Sequence, residues 1–491
     1  MEPKTGVYSP ATQARLAALP ADVRHVHLIG VGGSAMTALA GMLASRGFRI
    51  SGSDLEIYEP AASLLARLQV DVRTGFDARN LEPRPDLVVI GNVVTAANPE
   101  AAAALERKIP YLSMPEAVRH FLLEGKRVLM VTGTHGKTTS SAILAHVLTE
   151  AGRDPAMLIG GMARNLGSNY RLGQGADFVI EGDEYDSAFF DKRPKFLHYN
   201  PWGVILTAVE FDHADIYRDL EHVKSAFRCL VEQLDIARRL VVCAEDAGAM
   251  AVSENAHAPR LTFGFQRGDF LAVDIRSAGA PARFAITERG QRLEREFELP
   301  VGGRMNILNA LGAYALLREA GLDADEIRRG LASFSGVARR QELIGEAAGI
   351  AVLDDFAHHP TAIRATLDAV AERFPGRRIL AAFEPRSNTS RRRVFQEQFA
   401  LSFDHAARVY LGPVYFKEND PLPATQRLDT QELARAISGR GPAAYACGSD
   451  AEILDRMLSE ARAGDVAVFM SNGPFGNLKH RFLAALKART A

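Results

Sequence analysis

The chain has 491 residues, of which 47% are apolar and 24% charged, and its formal net charge is −1. This is the balance of an ordinary soluble globular protein, and it gives no global electrostatic reason to bind nucleic acid or an acidic membrane. The length calls for two to four domains. The three cysteines, Cys229, Cys243 and Cys447, are widely spaced and form no CxxC, which excludes a disulfide framework or a zinc knuckle and suits a reducing compartment. The first twenty residues lack the apolar segment of a signal peptide, and no apolar run approaches the ~20 residues that span a bilayer. A cytoplasmic protein is the expectation.

In chain order, residues 25–30 (HVHLIG) read as a strand. It empties into Gly30, Gly32, Gly33, Ser34 and Ala35, then a helix to about residue 44. A second strand, 48–51, leads to Asp54. This is the G-x-G-x-x-A form of a nucleotide-binding βαβ turn, with an acid about 20 residues on that is placed to hold a ribose hydroxyl. A plain tight turn is the bland reading, and a dinucleotide-dependent dehydrogenase is the habitual functional one. Residues 86–91 (DLVVIG) are a further buried strand, followed by a turn at Asn98-Pro99-Glu100.

Residues 127–141 (RVLMVTGTHGKTTSS) carry the strongest single signal. A β-prone run passes through Gly133, Thr134, His135 and Gly136 into Lys137, Thr138 and Thr139, which open an alanine- and leucine-rich helix. Such a strand-to-helix turn cradles phosphate with backbone N–H groups and the helix dipole. Lys137 is placed for the β- and γ-phosphates and Thr138 for Mg²⁺. Val131 stands where the usual pattern has its first glycine, so the turn is a shortened one.

Two further strands end in polar clusters. Residues 177–180 end on Glu181-Gly-Asp183-Glu184-Tyr-Asp186, and Glu181, directly after the strand, is the best second anchor for a divalent cation. Residues 204–209 end on Glu210-Phe-Asp212-His213-Ala-Asp215, where His213 has carboxylate neighbours suited to a metal ligand. Alternating stretches at 261–265, 270–275, 283–287 and 295–299 predict a small antiparallel sheet. Gly302-Gly303 then opens a helix carrying Asn306 and Asn309 one turn apart, suited either to a helix surface or to a purine edge.

After a glycine hinge near 336, Arg339 and Arg340 begin another αβ pattern, with strands at 350–353, 378–383, 408–411 and 465–470 and helices at 361–373 and 391–403. Its strand ends are polar. They carry Asp354, Asp355, His358 and His359, then Glu384, Arg386, Ser387, Asn388 and Thr389, then Ser471 and Asn472. Repetition of such loops predicts one binding face. Arg391, Arg392 and Arg393 serve either an anion or a solvated face.

Taken together, the three α/β units, GTHGKT, the strand-end Glu181, EFDHAD and GRMNILNA resemble the Mur ligases of bacterial cell-wall synthesis, over nearly the whole chain. The resemblance implies an α/β protein of three domains. These are a Rossmann-like UDP-sugar domain (1–122), a P-loop ATPase domain with a small antiparallel sheet (123–338) and a Rossmann-like peptide-substrate domain (339–491).

HLIGVGGSAMTALAGMLASRGFRISGSD is similar to the branch that acts on UDP-N-acetylmuramate. EGDEYDSAFFDKRPKF, DDFAHHPTAI, EPRSNT and SNGPFG are similar to the members that add the murein tripeptide L-alanyl-γ-D-glutamyl-meso-diaminopimelate during recycling. Ligation of free L-alanine is the alternative. ATP and Mg²⁺ are the implied cofactors, and no protein partner follows.

Residue by residue, the resemblance implies that Gly30, Gly32, Gly33, Ser34, Ala35 and Asp54 bind the UDP sugar, and that Gly133 to Thr139 hold ATP phosphates. Thr138, Glu181 and His213 would ligate metal, and Asn306 would meet adenine. Arg340 would meet the γ-phosphate and Asp355 the ribose, while His358, Arg386, Ser387 and Asn388 would meet the peptide. Lys137, Glu181, His213 and Arg340 form the implied catalytic set. Some relatives carry a carbamylated lysine about 15 residues after the metal histidine. Arg228 stands there, so that modification is not expected, and Lys224 is only the nearest lysine.

The dehydrogenase reading has no use for Lys137, and a non-catalytic nucleotide switch predicts ATP binding without amide product. Lys137→Ala is therefore expected to abolish amide product and ADP release, and undiminished product in a coupled ADP assay would refute the ligase.

Overall fold

The computed structural model describes residues 8–279, 281–416 and 422–490. They form two compact units. The first comprises the described residues up to Glu210 with Glu221–Phe270 and Leu311–Gly330. The second comprises Phe211–Leu220, Leu271–Ala310 and the described residues from Leu331 onward.

In the first unit, β1 (His25–Ile29), β2 (Arg49–Asp54), β3 (Asp71–Thr74), β4 (Leu87–Ile90) and β5 (Tyr111–Ser113) make a parallel sheet in the order β3-β2-β1-β4-β5. β1 and β4 are buried at every position, as expected of parallel strands covered on both faces. Strand order reverses at β1, which places the turn at Gly30 where open α/β sheets bind ligands. The second strand runs to Asp54, beyond the predicted 48–51. Asn98 is not a free turn. Its side chain accepts from the N–H groups of Glu100 and Ala101 and caps the helix Pro99–Glu106.

The same unit holds β6 (Arg127–Thr132), β7 (Ala156–Ala163), β8 (Ser168–Arg171) and β9 (Asp177–Gly182). A hairpin of β10 (Asp186–Ala188) and β11 (Asp191–Pro194) precedes β12 (Gly203–Leu206), β13 (Arg239–Cys243) and β14 (Arg260–Gly264). The sheet order is β14-β13-β12-β6-β9-β7-β8, and only β8 runs antiparallel. Two expectations change here. β14 lies parallel to β13, not antiparallel as its alternating pattern predicts. β12 ends at Leu206, because the residues that follow fold over the phosphate loop.

The β10–β11 hairpin joins the two sheets of this unit. Phe189 and Phe190, at its tip, pack on the core built from Ile29, Val88 and Ile90. Phe190 meets Tyr111 edge-on, with centroids 4.9 Å apart, and the Arg15 guanidinium lies over its other side at 4.9 Å. Arg15, on the helix Pro10–Ala17, pairs with Glu116 and reaches Asp191 at 3.7 Å. Thr12 donates to Glu116 at 2.7 Å and accepts from Arg193 at 3.1 Å. Glu116, Asp191 and His198 cluster as a metal site would, but Arg15 and Arg193 already occupy the carboxylates, which makes this a structural clamp.

In the second unit, β15 (Phe270–Arg276), β16 (Ala282–Glu288) and β17 (Gln291–Arg292) are neighbours in that order. β18 (Phe297–Leu299) pairs with β16, and both β17 and β18 run antiparallel to it. The C-terminal sheet contains β19 (Glu342–Ala347), β20 (Ile350–Asp355), β21 (Ile379–Phe383), β22 (Arg408–Leu411), β23 (Ala443–Ala446) and β24 (Val466–Met470). Its order is β19-β20-β24-β21-β22-β23, parallel except for β19. The predicted helix 391–403 is instead a 3₁₀ turn, Arg393–Phe395, and a short helix, Gln396–Ala400. Arg391 and Arg392 therefore lie in the loop before it.

The clamp yields a stability prediction. Burial would raise the Glu116 pKa, but Arg15 and the hydrogen bonds from Ser113 and Thr12 override it and hold the carboxyl below its ordinary value. Its contribution is present above the unfolded-state pKa and is lost as pH falls through the folded value. Arg15→Ala leaves Glu116 buried without its cation and is expected to cost about 3–5 kcal/mol in urea unfolding at neutral pH.

Candidate active site

β6 is the central strand from which the phosphate loop springs. Gly133 has φ +125° and Gly136 φ +80°, values that side-chain-bearing residues rarely adopt. A Cβ at Gly133 would lie 2.3 Å from Thr207 Oγ1 and 2.8 Å from the Ala208 nitrogen. The segment after β12 braces the loop from that side. Thr134 N–H donates to the Ala208 carbonyl at 2.8 Å, Thr207 Oγ1 donates to the His135 carbonyl at 2.5 Å, and Glu210 N–H donates to Thr134 Oγ1 at 2.9 Å. Lys137, Thr138 and Thr139 open the helix Lys137–Glu150.

Lys137 Nζ donates to the Gly133 carbonyl at 2.7 Å and to Glu184 Oε2 at 2.8 Å. Burial alone would depress its pKa, but Glu184, with Asp183 and Glu181 behind it, holds the ammonium above its ordinary value. Thr138 Oγ1 donates to Glu181 Oε2 at 3.1 Å, and Glu181 Oε1 accepts from Gly160 N–H at 2.6 Å. A hydroxyl and carboxylates of this kind form a hard oxygen donor set, which fits Mg²⁺. The other acids have other partners, since Asp183 accepts from Tyr185 and Lys195, and Asp186 accepts from Lys192.

At the N-terminal glycine turn, Gly30 has φ +85° and Gly33 caps the helix Ser34–Ser45. Asp54 Oδ2 accepts from Gly32 N–H at 2.9 Å and Oδ1 from Leu55 N–H at 2.8 Å. Asp54 thus braces the turn through two backbone N–H groups. Ser34 Oγ accepts from Asn169 at 3.2 Å, and Ala35 follows it in the helix. Deeper in the sheet, His27 Nε2 is 2.7 Å from Glu100 Oε1, a fully buried pair that no motif announced.

In the second unit, His213 sits in a turn with φ +50° rather than at a strand end. Its N–H donates to Asp212 Oδ1 at 2.6 Å and to Thr389 Oγ1 at 3.2 Å, and Thr389 also donates to Asp212. Burial would raise the Asp212 pKa, but His213, His359 and His358 hold it well below the carboxylate range. His359 caps the helix Pro360–Arg373 and donates from Nε2 to the Phe211 carbonyl at 3.1 Å. His358 donates from Nδ1 to the Phe356 carbonyl at 3.0 Å, and burial lowers its pKa, so its neutral form carries the lone pair on Nε2.

Asp355 accepts from the N–H groups of Gln341 and Ala357, both at 2.7 Å, and burial raises its pKa despite Arg340. Arg340 lies 4.9 Å from the centre of the Phe356 ring. Arg386 stacks on Tyr415 at 4.0 Å, Ser387 bonds Ser390, and Asn388 donates to Asp215 at 2.7 Å. Asn306 and Asn309 are buried, which removes the helix-surface reading. Asn306 donates to the Gly302 carbonyl at 2.8 Å, and Asn309 Nδ2 has no hydrogen-bond partner among the described residues.

Three domain families match successive parts of the chain. The "Mur ligase family, catalytic domain" covers residues 25–125, the "Mur ligase middle domain" 131–317 and the "Mur ligase, glutamate ligase domain" 339–473. The UDP-N-acetylmuramate–L-alanyl-γ-D-glutamyl-meso-2,6-diaminoheptandioate ligase of Escherichia coli is 36% identical over 94% of this chain and 98% of its own length. The chain belongs to the Mur ligase family.

The UDP-N-acetylmuramate–L-alanine ligase of Mycolicibacterium gilvum is also 36% identical, over 96% of this chain and 98% of its own. Among solved structures, a murein peptide ligase from Psychrobacter arcticus superposes with a TM-score of 0.71 at 31% identity, over 94% of this chain and 99% of that one. The family consists of ATP-dependent ligases, and these relatives place this Mur ligase in peptidoglycan metabolism. Equal identity to two kinds of relative means that overall likeness does not choose the amine.

For this Mur ligase, Gly133→Ala combines a disfavoured φ with a backbone collision. It is expected to abolish binding of an ATP analogue in a fluorescence titration while costing about 1–3 kcal/mol of stability.

Proposed function

We propose that this Mur ligase couples ATP hydrolysis to amide formation between UDP-N-acetylmuramate and the murein tripeptide L-alanyl-γ-D-glutamyl-meso-diaminopimelate, in the cytoplasm. In this reading, residues 1–122 supply the UDP sugar, 123–338 the ATP and 339–491 the peptide. The observation that carries the ligase chemistry is the paired arrangement at the phosphate loop, Lys137 on Glu184 and Thr138 on Glu181. The tripeptide is favoured by the murein peptide relatives and by Arg386, a planar guanidinium set on Tyr415 at the β21 strand end and suited to a peptide carboxylate.

The lactyl carboxylate attacks the γ-phosphorus and expels ADP, giving an acyl phosphate. The peptide α-amine then attacks the acyl carbon, expels phosphate and loses a proton. Bringing a carboxylate to a polyphosphate is the electrostatic problem, and Lys137 offsets the repulsion at the loop. Thr138 and Glu181 would hold Mg²⁺, whose charge would offset that of the phosphates. An α-amine titrates near ~7.7–8.0, so part of it is already neutral at pH 7. In this reading a strong base is unnecessary, and His358 or His359 takes the proton the amine loses.

Purified protein is expected to release ADP with UDP-N-acetylmuramate and tripeptide, and much less with free L-alanine. Equal or faster turnover with L-alanine would move this chain to the alanine-adding function. Arg386→Ala is expected to raise KM for the tripeptide about tenfold with KM for ATP unchanged.

A further inference from the structure

Lys195 stands near the end of the stretch EGDEYDSAFFDKRPKF with no role of its own in the reading above, yet it is almost wholly buried and opens the 3₁₀ turn Lys195–His198. Its Nζ donates to Asp183 Oδ2 at 3.2 Å and to Tyr185 Oη at 3.1 Å, and it lies 4.3 Å from the centre of the Tyr185 ring. Tyr185 donates its hydroxyl to the same Asp183 oxygen at 2.7 Å. The main chain fixes the arrangement, with Lys195 N–H donating to the Tyr185 carbonyl at 3.2 Å and Phe196 N–H to the Asp183 carbonyl at 3.3 Å.

Asp183 sits between Glu181 and Glu184, and its charge also attracts Lys137. Five charges therefore share one buried neighbourhood, three carboxylates against two lysines. To serve a phosphate, Lys137 must give up part of its hold on Glu184. That step grows harder as more uncompensated negative charge lies behind it.

We propose that Lys195 is a positioning residue for nucleotide binding, the counter-ion that holds Asp183 so that Lys137 remains available to the phosphates of ATP. The proposal rests on the reading of residues 133–139 as the ATP phosphate loop. Lys195 touches no phosphate itself and acts through Asp183.

The test is direct binding of a fluorescent ATP analogue to the full chain, with no sugar or peptide present. Lys195→Met leaves Asp183 unpaired and is expected to weaken binding about tenfold, the effect of one uncompensated neighbouring charge. The double variant Asp183→Asn with Lys195→Met removes both charges and is expected to bind within about twofold of the wild type, the coupling expected of a paired interaction. A purely packing role for Lys195 predicts that the double variant stays as weak as the single one, and that outcome overturns the proposal, as does wild-type affinity in Lys195→Met. Should Lys195→Met alone fail to fold, the charge-balanced double variant decides by the same criterion. Binding is read apart from turnover, so absence of UDP-N-acetylmuramate-dependent ADP release in the wild type would count against the ligase reading and leave the Lys195 comparison intact.

Discussion

The arrangement depends on crowding three carboxylates at the end of β9 beside a loop built to receive a polyanion. Unbalanced, Glu181, Asp183 and Glu184 would repel one another and any phosphate. The fold gives each a different partner. Glu181 takes a hydroxyl and a backbone N–H, Glu184 takes Lys137, and Asp183 takes Tyr185 and Lys195. Charge is thus stored next to the phosphate loop in paired form. The pairing also restrains Lys137, whose stem must otherwise be ordered at an entropic cost when phosphate arrives.

The same economy of carboxylates recurs elsewhere. Asp54 holds the N-terminal glycine turn through Gly32 N–H, and Asp212 holds the backbone of His213. Asp355 holds the chain at Gln341 and Ala357. In each case an acid in or beside a loop fixes its geometry through charge-assisted hydrogen bonds, which are the stronger kind. Loops that must present backbone N–H groups to a ligand cannot rely on sheet ladders for their own rigidity, and a nearby carboxylate supplies it.

The β10–β11 hairpin gives the first unit its continuity. Its base follows the carboxylates of β9, and its tip enters the core beneath β1, the strand that feeds the glycine turn. Buried aromatic contact and the Arg15 clamp make this a close-packed connection, and packed cores transmit displacement rather than absorb it. In the second unit, residues 211–220 fold with the C-terminal strand ends, so His213 is placed by Thr389 and Asp212.

Much of this was legible in the chain itself. Continuous apolar runs gave the parallel strands, and the glycines at 30, 133 and 136 announced turns that only glycine makes easily, because local sterics act over a few residues. The motifs likewise pointed to phosphate chemistry and to the ligase family. What stayed hidden depends on contacts between distant segments. β14 reads as a strand either way, and only its pairing with β13 puts it in the parallel sheet. The acids at 181–186 look alike as composition, and their separate roles follow from which lysine or N–H the fold brings to each. Lys195 stands in the stretch EGDEYDSAFFDKRPKF, but that pattern says nothing of its burial, and only tertiary packing sets it against Asp183 and Tyr185. Local chemistry can be read from sequence because it is set by neighbours in the chain. Charge pairing cannot, because it is set by neighbours in space.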